Sequence, residues 1–133
     1  MISKVEYKGG LRTEAFHLGS GETIITDAPI DNEGKGEAFS PTDLVATALA
    51  SCMLTIIGIV ARRDGIDIEG VFAEVNKIMA QGPRRIGEVE IKIFFKLNID
   101  KSERSKLERA AYTCPVSSSL SQDLKETIEF IYP

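Results

Sequence analysis

Histidine occurs once in this chain and cysteine twice, basic residues are outnumbered by acids, and the N-terminus lacks an apolar run. Each shortage removes a class of function. Metal centres built on Cys and His need three or four ligands, usually in close pairs. His17 is the sole imidazole, and Cys52 and Cys114 lie roughly sixty positions apart, so no paired ligand spacing exists and neither a metal nor a bound cofactor is expected. Lys and Arg total 16 against 20 Asp and Glu, a net charge of -4. A nucleic-acid partner is therefore not expected, because such proteins carry a basic excess. The pairs Arg62–Arg63 and Arg84–Arg85 are too small to form a basic patch. The opening MISKVEYKGG holds no secretory h-region. The expected compartment is the cytoplasm, where thiols stay reduced.

What is present is ordinary globular composition, with 43% hydrophobic and 27% charged residues over 133 positions. One domain spanning 1–133 is expected. Its most apolar segment contains ATALASCMLTIIGIV, with Cys52 at the centre. Leu44 to Ala61 is long enough to cross a membrane. Thr47, Ser51, Thr55 and Gly58 interrupt it, and Asp43 and Arg62 bound it closely, so a core helix is expected rather than a span. A helix apolar on all sides must be covered on all sides. A chain this small has difficulty doing that alone, so a second copy is expected to supply the cover, as a homodimer.

The rest of the chain alternates by period. Residues 2–8, 12–18 and 22–26 read as short strands separated by Gly turns, and 27–39 as an acidic Gly-rich loop. Ser40 is a good N-cap, Pro41 suits the first helical position, and Asp43 stands three residues after the cap. Arg62 and Arg63 favour the C-terminal end of the dipole and Gly65 the position after it. A strand around 71–76 and a strongly alternating one over 87–98 follow; the latter places Val89, Ile91, Ile93, Phe95 and Leu97 on one face. A helix over 100–113 with Ser102 as cap, a short helix opening at Cys114–Pro115, and a closing strand complete an α+β chain.

Two readings of each cysteine stand side by side. Cys52 lies about twelve residues into its helix, beyond reach of the dipole, which acts mainly within the first turn. Its neighbours Ala48, Leu49, Thr55 and Ile56 are apolar or neutral. Such a thiol is inert filler unless a cation outside the helix activates it; Arg12 is a candidate. Cys114, at a helix N-terminus, is by local environment the more reactive thiol, or else a structural cap. If the two meet, one can attack an oxidant and the other resolve it as a disulfide. His17 reads as structural or surface.

The segments FSPTDLVATALASCM and TCPVSSSLS together resemble the OsmC / organic hydroperoxide resistance family. The resemblance covers nearly the whole chain. It implies an OsmC-like fold, an intertwined homodimer with β-sheets wrapped around two long central helices. It also implies a thiol-dependent peroxidase that reduces organic hydroperoxides in oxidative-stress defence. Cys52 would become the sulfenic acid and Cys114 would form a redox-active disulfide with it, which reverses the local ranking. An external dithiol such as a lipoyl protein would restore the pair. The family's activating arginine maps to Arg12, held by an acid near the start of the long helix. Family members place a Glu ten positions before the cysteine, where this chain has Thr42. Asp43, nine before, falls about half a turn off the Cys52 side at 100° per residue, and suits its capping role better. Glu37 is the other candidate acid. Phe39, Met53, Ile56, Phe94 and Phe95 are candidate core or pocket residues. A non-catalytic redox-sensing or ligand-binding protein of the same fold is the alternative.

Overall fold

The computed structural model describes residues 1–133. Its elements run β1 (Ser3–Gly9), β2 (Arg12–His17), β3 (Thr23–Asp27), α1 (Pro41–Asp64), β4 (Phe72–Ala80), β5 (Arg85–Phe94), α2 (Lys101–Ala111), α3 (Pro115–Ser119) and β6 (Lys125–Ile131), with a 3₁₀ turn at Ile30–Asn32. The chain is α+β, in the order its sequence periods predict. It divides into two compact units, Met1–Val45 and Ala46–Pro133, and the division falls inside α1.

In the first unit β1, β2 and β3 form an antiparallel meander. The β1–β2 turn is tight. Gly9, Gly10 and Leu11 all take positive φ, a conformation that costs glycine almost nothing. The β2–β3 register sets Arg12 opposite Asp27. The loop that follows is drawn back on itself by Gly34 N–H to Pro29 O (2.9 Å) and Gly36 N–H to Ala28 O (3.2 Å). A Cβ on Gly34 would stand 1.6 Å from Ala28 O, so only glycine lets the loop close there.

The second unit holds the hydrophobic core. β4 and β5 pair antiparallel, and β6 joins β5 in parallel. Val89, Ile91, Ile93 and Phe95 are buried, and their alternation delivers one face of the sheet to the interior. α1 contributes Ala46, Leu49, Ala50, Met53, Ile57 and Ala61, a stripe at the i, i+3/i+4 spacing of a helix face. Leu107 and Ala111 of α2 and Cys114 join the same cluster. Leu49, Met53, Ile57 and Ile93 are fully buried, and each stabilises the fold by about 1.5–3 kcal/mol relative to exposure.

As expected of a chain this small, α1 is not covered on all sides by its own chain: Val45, Ala48, Ser51, Thr55 and Ile59 are exposed along a second stripe. Three expectations need correction. β5 ends at Phe94, and Leu97 beyond it is 38% exposed, because the alternation outlasts the ladder. β4 runs on to Ala80. Ser102 lies within α2; Asp100 is the N-cap, and its backbone carbonyl accepts from Glu103 and Arg104 N–H.

Candidate functional site

The first unit builds a cation held by two acids. Arg12 opens β2 and Asp27 closes β3, so the register places both side chains on one face as direct neighbours. Arg12 Nε donates to Asp27 Oδ1 at 2.7 Å and Nη2 to Oδ2 at 2.9 Å, a bidentate pair. Nη2 also reaches Glu37 Oε2 at 3.2 Å. The backbone N–H of Glu37 donates to Asp27 Oδ2 at 3.2 Å, which ties the folded loop to the strand. Asp27 is 1% exposed, while the Arg12 side chain keeps 31% of its surface. The Arg12 guanidinium holds the Asp27 carboxyl below the usual carboxylate range. Hydrogen bonding to Asp27 holds Arg12 more firmly charged in turn.

Asp43 is a capping residue. Its carboxylate accepts from Ser40 N–H at 2.9 Å, and its own N–H donates to Ser40 Oγ at 3.0 Å. This reciprocal pair is the capping box of α1. The acids on Arg12 are Asp27 and Glu37. Asp27 was not among the acids that the sequence singled out. Its place opposite Arg12 is set by the β2–β3 register, which residue type alone does not mark.

The second unit brings the two thiols together. Cys52, part-buried on α1, and Cys114, fully buried at the start of α3, are both free. Cys52 packs against the buried cluster that contains Cys114, near enough for its thiol to bear on the titration of Cys114. Burial pushes the Cys114 thiol up, and the neighbouring Cys52 adds to this by favouring the protonated form. The backbone N–H groups of Ser117 and Val116 act the other way. Ser117 N–H donates to Cys114 Sγ at 3.4 Å, so the sulfur is itself the N-cap acceptor of α3. Pro115 at the first helical position fixes the chain's entry. The cap therefore does not lower the Cys114 thiol in the way that its place at a helix start implies. Desolvation outweighs two N–H contacts on a five-residue helix.

The aromatic candidates separate. Phe95 is buried and stacks on Tyr132 at 4.6 Å. Phe94 stacks on Phe72 at 4.8 Å, on the sheet face away from Ile91 and Ile93. Met53 is core and Phe39 is exposed. His17 is exposed and braces a turn, with Nδ1 2.6 Å from Ser20 Oγ. No three His, Cys, Asp or Glu side chains converge as metal ligands.

The family model described as OsmC-like protein matches residues 34–129. A crystal structure from Psychrobacter arcticus 273-4, provisionally named an osmotic stress induced and detoxification response protein, is 55% identical. It covers 98% of this chain and 95% of its own at a TM-score of 0.95. An organic hydroperoxide resistance protein OsmC from Legionella pneumophila superposes with a TM-score of 0.78 at 18% identity, over 98% of this chain and 97% of its own. One from Elizabethkingia anophelis gives 0.78 at 14%, over 100% and 97%. At those identities the last two show the shared fold alone. A search of curated proteins gave no match.

Proposed function

The chain belongs to the OsmC-like protein family, and from that premise we propose that it is a thiol-dependent peroxidase reducing organic hydroperoxides. The observation that carries the reading is that Cys52 packs against the buried cluster that holds Cys114, with the two thiols near enough to influence each other. In a chain with only two cysteines, packing alone gives no reason for them to meet.

In the first step the Cys52 thiolate attacks the distal peroxide oxygen. The O–O bond breaks, Cys52 becomes a sulfenic acid, and the departing alkoxide leaves as an alcohol by taking up the proton that the Cys52 thiol gave up on ionising. In the second, Cys114 attacks that sulfur; the S–O bond breaks, the S–S bond forms, and the Cys114 proton leaves with the hydroxyl as water. An external dithiol such as a lipoyl protein then reduces the disulfide by exchange. Arg12 is the cation we assign to Cys52. Its two carboxylates fix the guanidinium in one orientation, and a fixed cation is what a thiol deep in a helix needs to ionise. The apolar surroundings of Cys52 suit an alkyl hydroperoxide. The exposed stripe of α1, with Val45 and Ile59 unburied, is the surface we assign to a second copy of the chain, as a homodimer. The cytoplasm is the compartment in which the thiol pair would be kept reduced.

The test is hydroperoxide consumption with cumene or tert-butyl hydroperoxide and dihydrolipoamide. Multiple turnover is expected, lost in Cys52→Ser. Full activity in Cys52→Ser sinks the mechanism. Oxidation of the pair without turnover by any dithiol would favour a redox sensor of the same fold.

A further inference from the structure

Glu126 is a carboxylate on the inward-facing side of β6, in the same alternating row as Ile128 and Phe130. Its β5 partner is Val89, which is fully buried. An apolar residue would complete that row. Instead, Glu126 Oε2 accepts from Ser117 Oγ at 2.7 Å, while Oε1 is sealed from solvent with no hydrogen-bond partner. A buried polar atom left unpaired is costly, and such atoms in native structures call for an explanation. The partner it does hold is informative. Ser117 is the residue whose backbone N–H donates to Cys114 Sγ.

We infer that Glu126 is a positioning residue for the disulfide-forming step: by anchoring Ser117 it holds the first turn of α3 against the Cys114 sulfur. The inference rests on the peroxidase reading above for the step it serves. The argument follows from what Cys114 must do. It attacks as a thiolate, yet it is fully buried beside a second thiol, and both favour the protonated form. The groups opposing them are the Ser117 and Val116 N–H donors. α3 spans only Pro115–Ser119, too short to be held by its own backbone bonds. The Ser117 donor stays on the sulfur only if something outside the helix fixes that residue. Glu126 does this from β6, which is secured to β5 along seven residue pairs.

The experiment compares Glu126→Leu, which removes the acceptor, with Glu126→Gln, which keeps an oxygen for Ser117. Two quantities are read. One is the pH midpoint of the Cys114 thiol, followed by 13Cβ NMR in a Cys52→Ser background, which needs no peroxide chemistry. The other is the rate of Cys52–Cys114 disulfide formation after one equivalent of cumene hydroperoxide, in the chain with both thiols. Glu126→Leu is expected to raise the midpoint and to slow the disulfide step about tenfold at neutral pH, a factor that corresponds to one pH unit in a thiol's midpoint. Glu126→Gln is expected to stay near the parent in both. Sulfenic acid formation at Cys52, trapped with dimedone in Cys114→Ser, is expected to be unchanged by either. Ser117→Ala keeps the N–H but loses the anchor; it should reproduce Glu126→Leu, and it decides the matter alone if Glu126→Leu fails to fold. An unchanged Cys114 midpoint in Ser117→Ala overturns the inference. Failure of the parent to form the disulfide with peroxide, while the midpoint still moves, refutes the peroxidase reading and leaves the positioning role standing.

Discussion

Cys114 carries two duties, as the cap of α3 and as the proposed resolving thiol, and two substitutions separate them. Its sulfur is fully buried and accepts the Ser117 N–H at 3.4 Å. Serine is among the best N-cap residues, so Cys114→Ser keeps an acceptor at the same place. The small penalty for burying a hydroxyl in place of a thiol is offset by a better cap, and stability should stay within about 1 kcal/mol of the parent. Cys114→Ala removes the acceptor and leaves that N–H unpaired, which costs about 1–2 kcal/mol. For a domain of this length one kcal/mol moves Tm by roughly 4 °C, so the alanine variant should melt roughly 4–8 °C below the serine variant. Circular dichroism melts of the reduced proteins measure this. Intact mass after one equivalent of hydroperoxide measures the chemistry. The parent should lose two hydrogens, as a disulfide, whereas both variants should gain one oxygen on Cys52. Equal melting of the two variants would refute the capping argument. A parent that gains oxygen without forming the disulfide would refute the resolving role.

Asp27→Asn should slow sulfenic acid formation at Cys52 while leaving the midpoint of Cys114 in place, since it loosens the Arg12 fork; a stopped-flow peroxide assay beside the NMR titration checks this. The Asp27 carboxyl is depressed by Arg12, so its contribution to stability is complete above the unfolded carboxylate pKa. That contribution is lost as pH falls through the lower folded value, and the acid limb of the parent's stability curve should flatten in Asp27→Asn. Ile57→Ala removes a fully buried side chain from the core cluster and should cost about 2–5 kcal/mol in urea titration; a loss below 1 kcal/mol would mean that the site collapses freely. Ile59→Lys places a charge on the exposed stripe of α1, the surface proposed for a second copy, so light scattering should report a dimer for the parent and a monomer for the variant, with the far-ultraviolet spectrum retained.

Much of the architecture was legible because its signals are local. The alternation from Glu88 to Phe95 dictates a strand with one buried face whatever surrounds it. Ser40, Pro41 and Asp43 announce the start of α1 through hydrogen bonds confined to four residues. Boundaries were less legible. Leu97 continues the alternation of β5, but a ladder ends where its neighbours end. Ser102 resembles a cap, yet the chain enters α2 two residues earlier through a backbone carbonyl. The site divides in the same way. Both cysteines and Arg12 stood out by residue type and by resemblance to a family, as did Glu37. Asp27 did not, because nothing in DAPID marks one acid over another.

The sequence by itself determined the order of the elements, the helix that carries Cys52 and the cap position of Cys114, since periodicity and capping act over a few neighbours. Only the tertiary structure decided which acids hold Arg12, that the two thiols meet, and that Glu126 grips Ser117 while one of its oxygens goes unpaired. These are pairings between distant segments, set by register and packing. The same distinction explains why a local reading ranked Cys114 the more reactive thiol. The helix start that lowers its pKa is visible in the sequence, and the burial that raises it further is not.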